Sequence, residues 1–290
     1  ISGFTGSAGY ALILKNTASI FSDQRYSLQM RNQTDAKEWQ CHDTMTYSIK
    51  DVIADLDDLG GEIVIGYDSW TMTAGQVEKL PGSASGTSIS WVALRNSLID
   101  EIWQERPIRK IMQHWYMPDE IAGISAKQKI TQLYERQSKG DPSTSILVSN
   151  VHSVNWLLNV RGDALVHTPL FHAMLLVHSA TDILVISEDK PEIDFKIKGL
   201  KIEHKQFKEM PEIAKMLADR KIQIDKLSCP RALLDCFSEQ NSAIEFKPDR
   251  TLLVKAQKNE AELKGMKDAH IKDAVAFCKF WHWFEHEIYK

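Results

Sequence analysis

The residues with the clearest catalytic spacing lie near the end of the sequence. His282-Trp-Phe-Glu285-His286 matches the H-x-x-E-H arrangement, in which two histidines one helical turn apart bind zinc beside a catalytic glutamate. A five-residue match in a helix rich in His and Glu arises easily by chance, and the sequence shows no evident third ligand. We therefore expect an ordinary helix here, and we assign no metal ligand in the sequence.

Two segments near the start are the next candidates. Gly3-Phe-Thr-Gly6-Ser-Ala-Gly9 loosely resembles a phosphate-binding loop, but no adequate strand precedes it and no Lys-Ser or Lys-Thr follows, so we expect a tight loop. Asp23-Gln-Arg25-Tyr26 follows a predicted strand, where a guanidinium can reach a carboxylate or a carbonyl. A surface ion pair of Arg25 is an equally good interpretation.

A later polar loop contains the remaining titratable candidate. Arg161-Gly-Asp163 and His167-Thr-Pro169 lie between two apolar runs. His167 is either a proton donor or an ordinary loop histidine, and the sequence by itself favours the loop. No spacing of Ser, His and Asp typical of a nucleophile elbow is present, so we expect no complete active site in this sequence.

The bulk composition argues against several classes of function. With 43% hydrophobic and 26% charged residues, the 290-residue chain is typical of a globular protein of two domains. Its net charge of −4 offers no positive surplus to a phosphate backbone, so we expect no nucleic-acid partner. No run approaches the roughly 18 apolar residues of a membrane span. The four cysteines are scattered, which indicates reduced thiols and a cytoplasmic location.

Apolar spacing reveals elements that occur twice. Residues 11–14 and 18–21 predict a β-hairpin, and Ala173–Val177 with 183–186 predict another. Each hairpin is followed by a helical pattern and then a strand, over 48–56 and 62–65 in the first copy and over 212–218 and 221–224 in the second. The sequence therefore predicts an internal duplication and two domains of similar mixed α/β fold.

Prolines indicate where these domains end. Arg106-Pro107 marks an exit from the first domain, and we expect a linker near residues 106–118. A further boundary is expected at Phe246-Lys-Pro248. We therefore assign residues 1–110 to a first domain, 111–248 to a second and 249–290 to the start of a third.

Helical patterns frame the second and third segments. The second domain is expected to begin with a helix over 121–137 and to continue into a strand over 146–148. The last pattern predicts a helix over 260–289 with a polar first half and an aromatic second half. So much apolar surface needs a partner, which we expect in residues after Lys290. The chain does not begin with Met, which leaves open a segment before Ile1.

Four segments together point to a known family. They are Ile1-Ser-Gly-Phe-Thr-Gly-Ser-Ala-Gly9, Phe21-Ser-Asp-Gln-Arg-Tyr26, Asn155-Trp-Leu-Leu-Asn-Val-Arg-Gly162 with His167-Thr-Pro-Leu-Phe171, and Lys258-Asn-Glu-Ala-Glu262 through Gly265-Met266 to Ala269-His-Ile-Lys-Asp-Ala274. In this order they closely resemble aminopeptidase P, the Xaa-Pro aminopeptidase of the three-domain type. The resemblance runs from the first residue to the last, and ordered agreement of several segments is far more specific than one motif.

The resemblance implies an architecture and an activity. It implies an α/β fold of two tandem creatinase N-terminal-like domains with mixed sheets flanked by helices, followed by the first helix of a truncated pita-bread catalytic domain. In that family two divalent ions, usually manganese, activate a bridging water against the peptide bond that precedes proline. All five metal ligands of the family come later than this chain reaches. We therefore expect no cofactor and no peptidase activity in this chain alone.

The resemblance also implies substrate contacts and partners. Arg25 corresponds to the family's substrate-contacting arginine, although Gln24 stands where the family commonly has Gly. His167-Thr-Pro169 replaces the family's usual His-Asn-Pro, and Arg161-Gly-Asp163-Ala164 replaces its Arg-Gly-Ser-Asp. Arg25 and His167 are thus the candidate substrate-binding residues. The implied partners are peptides with proline at the second position and a second copy of the chain in a homodimer.

Two alternatives remain open. Some pita-bread proteins have lost their metal ligands and serve as non-catalytic binding modules. Prolidase and creatinase relatives keep catalysis but act on other substrates, an alternative against which the extended match of the first domain argues.

Overall fold

The computed structural model describes residues 1–57, 61–82, 87–94, 96–107, 113–163, 165–188, 197–240 and 242–288. The chain divides into two units, Ile1–Pro107 and Ile108–Lys290. Each unit has its own sheets and its own hydrophobic core, and each is described by itself below.

The first unit alternates short strands and helices. Its strands are β1 (Tyr10–Ile13), β2 (Ala18–Ser22), β3 (Trp39–Asp43), β4 (Gly61–Asp68) and β5 (Thr87–Leu94). Its helices are α1 (Ser27–Gln33), α2 (Ile49–Asp57), α3 (Ala74–Val77) and α4 (Leu98–Ile102). A 3-10 turn, Gln24–Tyr26, joins β2 to α1.

The strands of the first unit form two separate sheets. Among the described residues, β1, β2 and β3 form one sheet in that order, and β4 pairs with β5 in another. β1 runs antiparallel to β2, whereas the β2–β3 and β4–β5 pairs are parallel. Both sheets contribute to one apolar cluster, in which Leu12, Ile65 and Ile89 pack with Val52 and Ile53 of α2. The helix α2 thus holds the two sheets on a common core.

The second unit contains more strands and longer helices. Its strands are β6 (His114–Tyr116), β7 (Thr144–Val148), β8 (Val160–Gly162), β9 (Ala173–Val177), β10 (Asp182–Ser187), β11 (Lys201–Gln206), β12 (Lys221–Ile224) and β13 (Ala243–Phe246). Its helices are α5 (Asp119–Ala122), α6 (Ala126–Ser138), α7 (Val151–Leu158), α8 (Met210–Met216), α9 (Arg231–Glu239), α10 (Thr251–Ala256) and α11 (Glu260–Glu287).

Six of these strands form one mixed sheet in the order β11-β10-β9-β7-β12-β13. β9 runs antiparallel to both β10 and β7, whereas β12 is parallel to both β7 and β13. One face of the sheet is covered by α6 and α7, whose Ile130 and Leu157 pack with Ile146, Leu175 and Val177. A strand buried on both faces is continuously apolar, which explains the runs at 146–148 and 173–177.

The predicted duplication is visible in both units. The hairpins β1–β2 and β9–β10 occur where the apolar runs predicted them, and each is extended by a parallel third strand. The predicted helices over 48–56 and 212–218 are α2 and α8, and the strands that follow them are β4 and β12. The prediction of two α/β domains with mixed sheets is therefore confirmed.

The helix predicted over 121–137 is divided in two. Gly123 ends α5 in a left-handed conformation with φ of 73°. Ser125 then starts α6 with a capping box, in which its hydroxyl accepts from the Gln128 backbone amide. Left-handed glycine and a new N-cap are standard signals for the end of one helix and the start of another, and the apolar periodicity alone conceals them.

The predicted linker near 106–118 overlaps a strand. Within that range residues 108–112 lie outside the described part of the chain, and β6 begins at His114. β6 pairs antiparallel with β8, with Trp115 opposite Arg161, so these residues belong to the second unit. A three-residue strand leaves too little periodicity to be recognised in the sequence.

The last helix matches its prediction from Glu260 onward, and Tyr289 lies outside the described residues. None of the 28 residues of α11 is buried. Its aromatic half exposes Phe277, Phe280, Trp281 and Trp283 by half or more of their surface. Across the described ranges, no helix combines the length and the apolar character needed to cross a membrane.

Candidate functional site

The glycine-rich loop at the start is docked on α1. The side-chain amide oxygen of Gln33 accepts from the Thr5 backbone amide at 2.9 Å and from the Thr5 hydroxyl at 3.1 Å. Gly3 has φ of +80°, and a Cβ there would lie 2.8 Å from the Gln33 carbonyl oxygen. These glycines allow close backbone packing, which agrees with the tight loop expected from the sequence.

Arg25 lies just after the carboxyl end of β2, in the 3-10 turn capped by Asp23. Its Nε donates to Asp23 Oδ1 at 2.8 Å and its Nη2 to Asp23 Oδ2 at 2.7 Å. The guanidinium carbon lies 5.3 Å from the centre of the Tyr26 ring. Tyr26 in turn shares a hydrogen bond with Ser7 of the glycine-rich loop. The turn therefore fixes Arg25 on one side by an ion pair and on another by an aromatic ring.

These contacts shift the protonation equilibria of the turn. The hydrogen bonds from Arg25 lower the pKa of the Asp23 carboxyl, and the same carboxylate raises the pKa of Arg25. The hydrogen bond with Ser7 lowers the pKa of the Tyr26 hydroxyl. Arg25 is thus a permanent cation with a defined orientation.

The Arg25 side chain remains 70% exposed despite its ion pair. Its Nη1 makes no hydrogen bond to any described residue, so donors remain for a second acceptor such as a carboxylate or a peptide carbonyl. Of the two interpretations left open by the sequence, the structure shows the ion pair, and the substrate contact stays a prediction. The ion pair with Asp23 exists, and the guanidinium is still available to a ligand.

His167 lies in the second unit, on an exposed turn. An isolated antiparallel bridge between Leu165 and Thr168 closes the turn, and His167 adopts a left-handed backbone with φ of 63°. Ala164 lies outside the described residues. Within its own unit the structure presents His167 to solvent and places no described acid or base against it.

The H-x-x-E-H segment lies on the exposed half of α11. The His282 and His286 rings are 4.0 Å apart, and His286 Nδ1 lies 2.7 Å from the His282 carbonyl oxygen, at hydrogen-bonding distance. Among the described residues, no group of three or more His, Cys, Asp or Glu side chains is arranged to hold a metal ion. All four cysteines are free thiols.

The segment Asn155–Gly162, singled out by its resemblance, has a structural role in the second unit. The Asn155 amide nitrogen donates to the Phe171 carbonyl at 2.7 Å, and its amide oxygen accepts from the Phe171 backbone amide at 2.8 Å. Asn159 ends α7 in a left-handed conformation, and its side chain donates to the Ile124 carbonyl at 2.9 Å. The two asparagines fasten α7 to the loops on either side of it.

The same segment holds the beginning of α11. Trp156 Nε1 donates to Glu262 Oε1 at 3.0 Å, and the other carboxylate oxygen of Glu262 accepts from the Asn259 backbone amide at 3.0 Å. Asn259 caps the helix and donates from Nδ2 to the Ala122 carbonyl at 2.8 Å. A Cβ at Gly123 would lie 2.3 Å from Asn259 Oδ1, so only glycine leaves room. We call Trp156, Asn259 and Glu262 the helix anchor.

A buried lysine supports the helix anchor from below. Lys129 is 3% exposed, and its ammonium donates to the Trp156 carbonyl at 2.9 Å and to Asn159 Oδ1 at 2.7 Å. The ammonium lies 4.0 Å from the centre of the Trp156 ring. Desolvation lowers the pKa of Lys129 to about 8, against which the charge of Glu262 acts in the opposite direction.

Lys129 and Glu262 were not identified as a pair in the sequence. The positions are 133 residues apart, which is the difference between their numbers, and both lie in helical patterns where charged side chains normally face solvent. One sequence feature could have indicated that these regions meet. Residues 155–162 and 258–262 both resemble the same family, and segments of one family often contact each other in its fold.

Matches to models of one protein family cover most of the chain. Residues 105–262 match one family model of the creatinase/prolidase N-terminal domain. Residues 1–101 match a second, separate model of the same domain. The chain belongs to the creatinase/prolidase N-terminal domain family. The tandem matches also confirm the resemblance to the N-terminal part of aminopeptidase P, which carries such domains.

Individual relatives extend over the whole chain. Aminopeptidase P1 of Arabidopsis thaliana is 26% identical over 99% of this chain and 48% of its own length. Aminopeptidase P2 of the same plant is 30% identical over 100% of this chain and 45% of its own length. This pair of creatinase/prolidase N-terminal domains therefore spans about half the length of the relatives it matches.

A solved structure shows the same fold. The X-prolyl aminopeptidase of Caenorhabditis elegans, described as a cytosolic enzyme with a di-nuclear active site, superposes with a TM-score of 0.84. The superposition covers 99% of this chain and 48% of that chain at 23% identity. The creatinase N-terminal fold of both units is thereby established.

Removing the Glu262 carboxylate is expected to loosen the start of α11. Glu262→Ala takes away the acceptor of Trp156 Nε1 and one half of the capping box, and should cost about 1–3 kcal/mol in the free energy of unfolding. Glu260→Ala is the matched control, because it removes a carboxylate from the same first turn without a described hydrogen bond. Urea unfolding of both variants measures the difference. Equal losses would mean that the helix anchor is not stabilising.

The Lys129 ammonium is expected to make stability depend on alkaline pH. Its pKa is about 8 in the folded chain and near 10.5 in the unfolded chain, so the unfolded chain binds more protons between these values. The contribution of Lys129 to stability is therefore least favourable below about pH 8 and rises as the pH approaches 10.5. Relative to Lys129→Met, the wild-type chain should gain up to about 3 kcal/mol over this window in urea unfolding. A constant difference between pH 7.5 and pH 10.5 would contradict the lowered pKa.

Proposed function

We propose that the whole protein is a Xaa-Pro aminopeptidase and that residues 1–290 form its non-catalytic N-terminal region. The observation that supports this most strongly is the match to proteins named aminopeptidase P over 99–100% of the chain. The reaction is hydrolysis of the peptide bond between a first residue and a following proline, which releases the first residue. The substrates would be peptides with proline at the second position.

Under this proposal, the residues that catalyse peptide-bond hydrolysis lie outside positions 1–290. The resemblance implies two divalent ions that activate the attacking water, and we propose manganese as the metal. The residues described here do not fit such a centre, because they bring no three ligating side chains together. We therefore assign the ions to residues outside positions 1–290, and no step of the reaction to this chain.

The role proposed for this chain is to shape access to the cleft. Arg25 is a permanent cation, oriented by Asp23 and exposed, and so is suited to bind a carboxylate or carbonyl of the peptide. His167 is proposed as a second substrate contact on the basis of its exposed turn and its place in the resemblance. Gating by such residues would exclude long substrates.

The final helix supports a third domain in the proposal. α11 is fixed to the second unit by the helix anchor, while its aromatic half is exposed. Large aromatic side chains on a soluble surface indicate a partner, and we place that partner in the catalytic domain. Residues 249–290 would then be the beginning of this domain, with the domain boundaries at 110 and 248 as first assigned.

The proposal extends to the assembly and the location of the protein. The resemblance implies a homodimer built partly on the first domain, which sedimentation velocity of the whole protein measures directly. A cytoplasmic location is supported by the C. elegans protein, which is described as cytosolic.

Metal content and substrate preference together test the proposed function. The whole protein should contain about two equivalents of a divalent metal by mass spectrometry. It should release the first residue of an Xaa-Pro-Ala tripeptide and leave the matching Xaa-Ala-Ala peptide intact. A folded protein without bound metal and without hydrolysis would overturn the proposal in favour of a binding module. Comparable cleavage of both peptides would favour a different peptidase specificity.

Arg25→Ala in the whole protein should reduce kcat/KM on Xaa-Pro peptides by about tenfold or more, because a charge-assisted hydrogen bond to the substrate is lost. Metal content should not change, since Arg25 contacts no metal ligand in this chain. Arg31→Ala provides the matched control, because Arg31 is also exposed and lies on the following helix. Kinetics of Arg25→Ala that equal those of Arg31→Ala would rule out the substrate contact.

A further inference from the structure

Two histidines lie one helical turn apart in the second half of α11. His282 and His286 are both exposed, and the helix is continuous through both positions. Residues four apart on an α-helix lie on the same face, one above the other. The centres of the two imidazole rings are accordingly 4.0 Å apart. We call His282 and His286 the histidine pair.

A hydrogen bond determines which nitrogen of His286 can act as a ligand. His286 Nδ1 lies 2.7 Å from the His282 carbonyl oxygen. A carbonyl oxygen only accepts hydrogen bonds, so Nδ1 carries the proton and donates it. In a neutral imidazole the other nitrogen, Nε2, then holds the lone pair. Metal-binding histidines commonly have this arrangement, in which a backbone carbonyl orients the ring and the opposite nitrogen binds the ion.

His282 is available as a second ligand. Its ring contacts the ring of His286 and makes no hydrogen bond or ion pair with any residue that the structure describes. The acceptor nitrogen of the neutral ring can therefore turn to an ion. Lys279 and Glu285 each lie three residues from His282, and their opposite charges leave the surroundings of the histidine pair close to neutral.

The histidine pair lies on the other side of α11 from a row of aromatic side chains. Phe277, Trp281 and Phe284 recur at i, i+4 and i+7, which is the spacing of one helix face. We call these three residues the aromatic row. At about 100° per residue, the histidine pair is rotated from this row by roughly 150°. A domain that packs on the aromatic row therefore need not cover the histidine pair.

The type of ligand selects the class of metal. Imidazole nitrogen suits zinc, copper and nickel, whereas magnesium, calcium and manganese prefer oxygen ligands. Two histidines supply half of the tetrahedral shell of a zinc ion, and water molecules can supply the rest. Among the described residues no third ligating side chain joins the pair. Zinc is therefore expected to bind reversibly here, and the three-ligand arrangement of a catalytic zinc site is not reproduced.

We propose that the histidine pair chelates one zinc ion, which His286 binds through Nε2 and His282 binds as the second ligand. Chelation joins two positions one turn apart, and an ion that binds only the helical state stabilises that state. Bound zinc therefore stabilises the turns of α11 that carry the aromatic row. The inference does not depend on the peptidase activity.

Zinc titration of the whole protein tests the proposal. Competition with a chromophoric zinc chelator gives the number of zinc ions bound and their affinity. His282→Gln and His286→Gln should each weaken zinc binding to the histidine pair at least about tenfold, because a single imidazole cannot chelate. Ions held elsewhere in the protein are common to the wild type and the variants, so the difference between them reports on the pair.

His270→Gln is the matched control for these variants. His270 is also exposed on α11, and no histidine lies three or four residues from it. Its replacement should leave the number of bound zinc ions and their affinity unchanged. A second control is manganese, whose binding should be equal in the wild type and in His282→Gln because manganese prefers oxygen ligands.

A variant that keeps two histidines at a different spacing separates chelation from composition. His286→Gln combined with Glu287→His places the histidines five residues apart, on different faces of the helix. This double variant should lose zinc binding to the same extent as His286→Gln alone.

Three outcomes would overturn the proposal. One is that the wild type and His282→Gln bind the same number of zinc ions with the same affinity. Another is that the double variant binds zinc as tightly as the wild type. The third is that the variants remove only half an equivalent of zinc per chain and abolish a zinc-dependent dimer in sedimentation velocity. Zinc would then bridge histidines of two chains instead of being chelated within one helix.

Discussion

The second unit depends on one strand that makes two kinds of pairing at once. β7 hydrogen-bonds to an antiparallel neighbour on one side and to a parallel neighbour on the other, and all five of its residues are buried. A hairpin forms from contacts close in sequence, whereas a parallel pair requires a crossover. β7 connects these two parts of the sheet, and the helices before and after it, α6 and α7, provide the cover for one face.

In the second unit, the segments that carry the family resemblance have structural roles: they hold helices and loops together. Asn155 and Asn159 hydrogen-bond to backbone groups of neighbouring loops, and the Trp156 indole N–H donates to the Glu262 carboxylate in the first turn of α11. Buried polar groups are costly unless every hydrogen bond is made, so such a network strongly favours a single geometry. The geometry that it specifies here is the direction in which α11 leaves the second unit.

Much of the fold was predictable because it follows from local patterns. The two apolar runs 11–14 and 18–21 with a polar turn between them predict a hairpin, and the helical apolar spacing of 48–56 predicts α2. The short strand β6 and the buried Lys129 could not be predicted, because each depends on a distant partner, β8 and Trp156 respectively. The division at Gly123 has local signals, the glycine and the capping box of Ser125 and Gln128, but the apolar periodicity that runs across it conceals them. The turn of Arg25 and a surface ion pair of its side chain were identified from the position after a strand, but the choice of Asp23 as partner follows from the three-dimensional structure of the turn.

The attachment of α11 has a mechanical consequence. The helix anchor and the cap of Asn259 hold its first turn, and none of its 28 residues is buried. At about 1.5 Å per residue the helix spans about 42 Å, so it acts as a lever whose pivot lies at Glu262. From Glu262 to Glu287 the arm is about 38 Å long, so a rotation of about 5° at the pivot displaces the far end by about 3 Å. Whatever packs on the aromatic end of α11 is therefore positioned by a few hydrogen bonds at its opposite end.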